Sequence, residues 1–266
     1  MRKRPPLFAL AAALALTGCI DATNPTTAPS HQYSVLFRDD FTLTCPTGTW
    51  PACDSARWAA YPDGWHDTTG NGVYDCSKVC SEHNGKLDLY IHTVNGVHYV
   101  AAPLPILRPG SDLYGAGLNA GRYTIRFKMN RLPGYKVAWM LWPDSGIEPQ
   151  DGNIDFPEVD LDGVETMRAF LHHEGATSDT DQDAYRTNVI PTDGVWHTTT
   201  IEWRPDASFT SFYLDGKLVG TSTSRIPNTA LHWILQSETC LACVTPDATA
   251  GHILIDYVEV DGVPAS

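Results

Sequence analysis

The sequence is poor in positive charge, and it lacks any apolar run long enough to cross a membrane. It carries 18 Lys and Arg against 31 Asp and Glu, which gives a formal net charge of −13. A chain this acidic repels nucleic acid and anionic lipid surfaces, so we expect no nucleic-acid partner. The longest apolar run, residues 7–16, is shorter than the roughly 20 residues that a membrane-spanning helix needs. We therefore expect any membrane contact to be made through an anchor.

That apolar run belongs to a secretion signal. It follows three basic residues at positions 2–4 and ends in Leu-Thr-Gly-Cys19, which resembles the lipoprotein cleavage box. We predict that residues 1–18 are a signal peptide and that Cys19 is lipidated. The protein would then be exported and lipid-anchored to the bacterial cell envelope or cell surface. An ordinary secretory peptide with a chance cysteine is the alternative. Residues 19–34 are rich in Thr, Pro, Ala, Asn and Ser, which predicts a flexible tether.

No odd cysteine remains once Cys19 is set aside. Six are left, and an even number in an exported protein predicts three disulfides. Their close spacing favours three short-range pairs: Cys45–Cys53, Cys76–Cys80 and Cys240–Cys243. A zinc site is the alternative, because the last pair has the Cys-x-x-Cys spacing of a metal ligand set.

Helical periodicity is also missing from the sequence. Apolar and polar residues instead alternate in segments such as 87–92 and 122–129, as in half-buried strands. Residues 137–142 are apolar throughout, which predicts a strand covered on both faces. Many short strands separated by Gly, Pro, Asn and Asp predict an all-β, two-sheet antiparallel β-sandwich. Its size fits a single domain over residues 35–262.

The segment from Asn153 to Asp162 changes its alternation partway along. Apolar residues occupy positions 154 and 156 before Pro157, but positions 159 and 161 after it. One extra residue beside Pro157, a β-bulge, would restore the register, and proline within a strand is tolerated mainly at bulges and edges. The bulge would bring four polar residues to one face: Asn153, Asp155, Glu158 and Asp160.

Carboxylates aligned in this way repel one another, so the chain gains little from them unless a cation or a reaction needs them. A solvated acidic face or a calcium site is the simpler interpretation. Two carboxyl groups about 5–5.5 Å apart are also what retaining glycoside hydrolysis requires, one as nucleophile and one as proton donor. The strand is therefore the candidate catalytic segment.

Asn153-Ile-Asp-Phe-Pro-Glu158 resembles the Glu-Ile-Asp-Ile/Phe-x-Glu motif of the family 16 glycoside hydrolases. Further segments match the family in order and spacing: 37–41, 114–143, 196–203, 213–216 and 255–260. The resemblance implies a concanavalin A-like jelly roll with a cleft on its concave face. It also implies an endo-β-glucanase-like hydrolase that acts as a monomer on a β-linked polysaccharide or oligosaccharide and requires no cofactor.

The same resemblance assigns roles within the motif. Glu158 would be the acid/base, Asp155 would orient its neighbour, and Asn153 stands where the glutamate nucleophile is expected. An amide oxygen is a poor nucleophile, so three functions stay open. The first is hydrolysis by a variant route, including a shifted register that uses Glu158, Asp160 and Asp162. The others are a catalytically impaired carbohydrate-binding lipoprotein and a jelly-roll polysaccharide lyase.

A pair of tryptophans and a pair of histidines are each expected to supply one substrate-binding residue. Trp139 and Trp142 lie on opposite faces of their strand, and the resemblance favours Trp139 as the residue that stacks on a sugar. Of His172 and His173, we expect His173 to face the cleft.

Three other polar residues complete the set of expected site residues. Gln236 and Asp160 are expected to bind sugar hydroxyls. The resemblance further implies that Asp256 helps to hold a structural calcium ion.

Overall fold

The computed structural model describes residues 33–108 and 116–263. The predicted signal peptide, Cys19 and most of the tether lie outside these ranges. The described residues form 17 β-strands, one short helix, α1 (Cys76–Val79), and two 3-10 turns, Ala52–Asp54 and Pro205–Ala207. Within the described ranges, no helix is long and apolar enough to cross a membrane.

The strands follow one another closely along the chain. They are β1 (Ser34–Asp39), β2 (Trp58–Ala60), β3 (Gly72–Tyr74), β4 (Cys80–Glu82), β5 (Leu87–Val94), β6 (Val97–Val100), β7 (Pro103–Pro105), β8 (Gly121–Met129), β9 (Tyr135–Pro143), β10 (Asn153–Asp160), β11 (Arg168–His172), β12 (Gln182–Arg186), β13 (His197–Arg204), β14 (Phe209–Leu214), β15 (Lys217–Ser222), β16 (Leu231–Thr239) and β17 (Gly251–Gly262). β1 begins at Ser34, which the sequence placed at the end of the tether.

These strands form two large sheets. Sheet A has ten strands in the order β15-β14-β13-β8-β17-β5-β6-β3, with β1 paired to β17 and β4 paired to β5. Sheet B has five strands in the order β12-β11-β10-β9-β16, and β2 pairs with β7. All paired strands are antiparallel except β3 and β6. The predicted two-sheet antiparallel sandwich is confirmed.

The core lies where the two sheets contact each other. Phe127 of sheet A packs edge-on against Trp139 of sheet B, with ring centroids 5.0 Å apart. Phe156 of sheet B meets Phe212 of sheet A in the same way at 5.8 Å. Burial of these aromatic side chains supplies a large part of the hydrophobic stabilisation that holds the two sheets together.

The predicted bulge is present in β10. Asp155 lies opposite Met140 of β9, whereas Glu158 lies opposite Ala138, so β10 advances three residues while β9 advances two. The same shift occurs against β11. The apolar residues on both sides of the bulge, Ile154, Phe156, Val159 and Leu161, are all buried in the core.

The three cysteine pairs favoured by the sequence spacing are joined as disulfides. They are Cys45–Cys53, Cys76–Cys80 and Cys240–Cys243. The zinc alternative is therefore wrong, because the thiolates it required are bonded to each other.

Candidate functional site

The face of sheet B that points away from sheet A carries the polar residues of β10. We call it the cleft face, defined by Asp155, Glu158 and Asp160 and by their neighbours on β9 and β16. The register of β9 places Lys136 opposite Asp160. That of β16 places Gln236 opposite Ala138, beside Glu158. Two pockets open on this face, of about 130 Å³ around Glu158 and about 290 Å³ around Trp142.

Before the bulge, the polar residues are buried and incompletely paired. Asn153 and Asp155 are only 4% and 3% exposed. Asn153 lies opposite His172 of β11. His172 Nε2 is 3.3 Å from Asp155 Oδ2. Asn153 Oδ1, Asp155 Oδ1 and His172 Nδ1 are buried without a hydrogen-bond partner in the described part of the chain. Three orphaned polar atoms so close in the sheet are typical of a functional site rather than of a core.

Burial and pairing act in opposite directions on this group. Burial raises the pKa of Asp155 above its usual value, although the contact with His172 opposes that shift. Burial on its own lowers the pKa of His172, but Asp155, with Glu148 and Glu158, outweighs it and raises that pKa above its usual value. The buried carboxyl and the imidazole thus depend on each other for their charge.

After the bulge, the carboxylate is wetter and is paired with a cation. Lys136 Nζ donates a hydrogen bond to Glu158 Oε1 at 2.6 Å, with the Lys136 side chain 7% exposed and that of Glu158 26% exposed. Burial lowers the pKa of Lys136, but the adjacent Glu158 carboxylate raises it above its usual value overall. The ammonium of Lys136 thus forms an ion pair with the carboxylate of Glu158.

Asp160 lines the same pocket as Glu158, in agreement with its expected position on the cleft face. Asp162 does not reach it. The Asp162 carboxylate accepts backbone N–H groups of Val164 at 2.7 Å and Glu165 at 3.0 Å, which fixes it in the turn after β10. The shifted register that would use Asp162 as a working carboxylate is therefore wrong.

The expectation that Trp139 stacks on a sugar is also wrong. Trp139 is fully buried between the sheets. Trp142 points to the cleft face instead, where it lines the larger pocket with Gln236. The continuous apolar run of β9 gave no polar face from which to decide between the two tryptophans. Gln236 occupies the expected position.

The expectation for the histidine pair is wrong as well. His172 is the last residue of β11 and contacts Asp155, whereas His173 has left the sheet. His173 Nδ1 is 2.9 Å from Asp181 Oδ1 and 2.9 Å from an Arg225 guanidinium nitrogen. This ion-pair cluster accounts for His173 without a ligand.

Sequence reasoning missed two contributors to the site. Trp65, 51% exposed, lies in the loop after β2, where it lines the larger pocket and stands 5.7 Å from the Tyr61 ring. A tryptophan directly after Pro-Asp-Gly in a loop is a signal that could have found it. The second missed contributor is Lys136. A single lysine near the start of an otherwise apolar strand is the signal that could have found it.

Asp256, expected at a calcium site, instead forms an ion pair with Arg126, with 2.5 Å between Oδ2 and Nη1. In the ranges that the structure describes, no cluster of three or more His, Cys, Asp or Glu residues could hold a metal ion. The calcium ion thus stays a prediction from the resemblance alone.

The chain has the fold of family 16 glycoside hydrolases. SCLam, a non-specific endo-β-1,3(4)-glucanase of that family, superposes with a TM-score of 0.69 at 17% identity, over 91% of this chain and 95% of that one. The endo-1,3-β-glucanase from Streptomyces sioyaensis gives 0.67 at 19%, over 90% and 99%. A LamA variant from Z. galactanivorans, in complex with laminaritriose and laminaritetraose, gives 0.64 at 21%, over 86% and 99%. No family profile and no curated protein sequence matches the chain.

Proposed function

We propose that the protein binds a β-linked polysaccharide along the cleft face and hydrolyses it, with Glu158 as the proton donor. One observation carries the proposal: a single bulged strand brings Glu158, with the buried Asp155 near it, to an open face that also presents the aromatic rings of Trp142 and Trp65. Sugar rings stack their C–H faces on such aromatic rings. The shared fold of known endo-β-glucanases supports the same substrate class.

In this mechanism Glu158 transfers its proton to the glycosidic oxygen as the bond to the anomeric carbon breaks. The partly exposed position of Glu158, at the edge of a pocket, gives it access to a sugar. Asp155 is too deeply buried to reach the substrate and acts as a positioning residue together with His172.

A second candidate is carbohydrate binding without turnover. Two observations favour it. Asn153 occupies the position of the expected nucleophile, and the Glu158 carboxylate is already engaged by Lys136. Both candidates require the same glycan-binding face.

The test uses the full-length chain with a panel of β-1,3-, β-1,4- and mixed-linkage glucans and β-galactans. Reducing ends, product lengths and calorimetric affinities are measured for the wild type and for Trp142→Ala. Hydrolysis of one or more glycans, with weaker binding by the variant, is the expected result. Binding without new reducing ends selects the second candidate. A chain that neither binds nor cleaves any β-glycan disproves both.

We also propose that the protein is exported, lipidated at Cys19 and monomeric. Replacing Cys19 with Ala should release the chain from the membrane fraction into the soluble fraction. Retention of the variant in the membrane fraction would contradict the anchor, and sedimentation of the purified chain as a dimer would contradict the monomer.

A further inference from the structure

Two buried carboxylates lie outside the mechanism described above. Asp67 and Glu238 are only 6% and 2% exposed. Asp67 belongs to the segment between β2 and β3, residues 61–71, which we call the β2–β3 loop. Glu238 lies near the end of β16, opposite Lys136 of β9. A buried carboxylate is costly unless hydrogen bonds satisfy it, so its contacts show what it holds in place.

The two carboxylates fasten the β2–β3 loop to β16. Glu238 Oε1 accepts hydrogen bonds from Thr68 N at 3.1 Å, Thr68 Oγ1 at 2.6 Å and Tyr74 Oη at 2.9 Å. In the opposite direction, Asp67 Oδ2 accepts hydrogen bonds from Thr239 N at 2.8 Å and Thr239 Oγ1 at 2.7 Å. Burial raises the pKa of Asp67, but the bonds from Thr239 outweigh it and lower that pKa below its usual value. Hydrogen bonds to an ionised carboxylate are stronger than neutral ones, so the attachment is firm.

The same loop is tied to β3 through its backbone. Tyr74 N donates a hydrogen bond to Trp65 O at 2.7 Å, and Asp67 N donates one to Gly72 O at 3.0 Å. A Cβ atom at Gly72 would collide with the Asp67 carboxylate, so only glycine allows this close approach. The loop that carries Trp65 is thus held by β3 and by β16 together.

This fixed backbone presents an aromatic ring to solvent. Trp65 is 51% exposed, the most exposed of the tryptophans in the described ranges. Its ring lines the larger pocket of the cleft face together with Trp142 and with Gln236, which lies beside Glu158. A binding residue that is already held in place loses little conformational entropy when a ligand stacks on it. The β2–β3 loop therefore has the properties of a preformed wall of the cleft.

We propose that Glu238 is a positioning residue: with Asp67, it holds Trp65 as a fixed wall against which a sugar unit of the bound glycan stacks. Glu238 acts through the β2–β3 loop rather than on the sugar. The inference rests on the proposed function and identifies the residues that determine affinity on the β16 side of the cleft. Loosening the loop should therefore weaken glycan binding more than it slows the bond-breaking step.

The first experiment tests the attachment without any glycan. Thr68→Val removes the hydroxyl that donates to Glu238 but keeps the shape of an exposed side chain, and Thr68→Ser restores the hydroxyl. Hydrogen exchange of the backbone amides in residues 61–74 is measured by mass spectrometry on the full-length chain. We expect about tenfold faster exchange in Thr68→Val, the fold-change that one hydrogen bond to a carboxylate implies, and wild-type exchange in Thr68→Ser. Unchanged exchange in Thr68→Val would disprove the attachment.

The second experiment measures affinity for any β-glycan that the wild type binds in the panel described above. Trp65→Ala should weaken binding about tenfold. Thr68→Val should weaken it in the same direction and should raise KM more than it lowers kcat. Since Thr68 also lines the pocket, the double variant separates positioning from direct contact. In the Trp65→Ala background, Thr68→Val should have no further effect, because no ring is left to position.

Thr49→Val is the matched control. The hydroxyl of the exposed Thr49 also donates a hydrogen bond, to Pro46 O at 2.7 Å, but in a turn that lines neither pocket of the cleft face. This variant should keep wild-type exchange in residues 61–74 and wild-type affinity. Glu238→Leu removes the acceptor itself and should have a larger effect of the same kind as Thr68→Val. If Glu238→Leu does not fold, Thr68→Val decides the question.

Two outcomes overturn the inference and leave the proposed function intact. One is wild-type affinity in Trp65→Ala or Thr68→Val alongside weaker binding by Trp142→Ala. A lowered melting temperature of Thr68→Val with unchanged affinity belongs to this outcome and would make the attachment purely structural. The other is an effect of Thr68→Val that persists in full in the Trp65→Ala background. If the wild type binds no β-glycan, the proposed function itself fails, and this inference fails with it.

Discussion

The two halves of β10 differ in how their polar side chains are buried and paired. Before the bulge, Asn153 and Asp155 are buried, and each keeps a polar atom without a partner in the described structure. After the bulge, Glu158 is partly exposed and its charge is compensated by Lys136. Folding alone is served by the second arrangement and penalised by the first. Under the proposed function, the proton donor would lie after the bulge and the buried positioning residues before it.

The largest effect is expected from Glu158→Gln, which removes the transferable proton but keeps the shape of the side chain. If turnover is detected in the wild type, the variant should lose about 10²- to 10⁴-fold in kcat, the usual contribution of general acid catalysis. Glycan affinity should persist. Asp40→Asn is the control, since Asp40 is exposed and pairs with Arg38 outside the cleft face, and its kcat should stay within a few-fold of the wild type. An unchanged rate for Glu158→Gln would remove Glu158 from the mechanism.

The two tryptophans of β9 extend the contrast from one strand to the two faces of sheet B. Trp139→Ala should lower the free energy of unfolding by about 3–5 kcal/mol, because it leaves a cavity between the sheets. Trp142→Ala should change it by less than about 1 kcal/mol, since most surface substitutions have small effects. Urea unfolding of both variants tests this difference. Equal losses would place Trp142 in the core and contradict its assignment to the cleft face.

Asp155→Asn is expected to change the free energy of unfolding by a smaller amount and to increase it. Burial raises the pKa of Asp155, so the folded state binds its proton more tightly than the unfolded state, whose value is about 3.9. The stability from Asp155 is full below that pH and is lost as pH rises through the higher folded pKa. The variant should thus be more stable than the wild type by about 1 kcal/mol at pH 7 and match it near pH 4.

Urea midpoints at the two pH values measure this difference, with the exposed Asp63→Asn as control. A variant that is less stable than the wild type at pH 7 would show that Asp155 is a net contributor to folding. The Asp155–His172 pair would then be structural.

The smallest effect is expected from His172→Gln. The pKa of His172 is raised in the folded state, so its contribution is full below about pH 6.5 and is lost as pH rises through the folded value. The wild type should exceed the variant by about 1 kcal/mol at pH 5.5, with the gap closing towards pH 9. The exposed His66→Gln is the control. A gap that is constant across this range would mean that the proton on His172 does not matter for folding.

The fold and the bulge could be predicted because they depend on local patterns. The switch of apolar positions around Pro157 has one simple solution in a strand, and closely spaced cysteines in an exported chain have one simple pairing. The face of a fully apolar strand has no such local signal, and the family resemblance favoured Trp139 over Trp142. The same is true of His173, because the sequence does not show that β11 ends at His172.

Contacts between strands were the hardest part of the site to foresee. The ion pair of Lys136 and Glu158 depends on the register of β9 against β10, which the bulge itself shifts by one residue. The loop that carries Trp65 depends on where β2 ends relative to the cleft face. The ion pair and the position of Trp65 both depend on how the sheets assemble, which no single segment of the sequence specifies.

The Cys240–Cys243 bridge joins residues only three positions apart, and the other two bridges span eight and four. Cross-links this short restrict the unfolded chain less than long-range ones would, so each contributes less to the stability of the sandwich. Leu241 and Ala242, held between Cys240 and Cys243, form a wall of the pocket around Glu158. Opening the Cys240–Cys243 bridge would therefore free this wall of the pocket around Glu158.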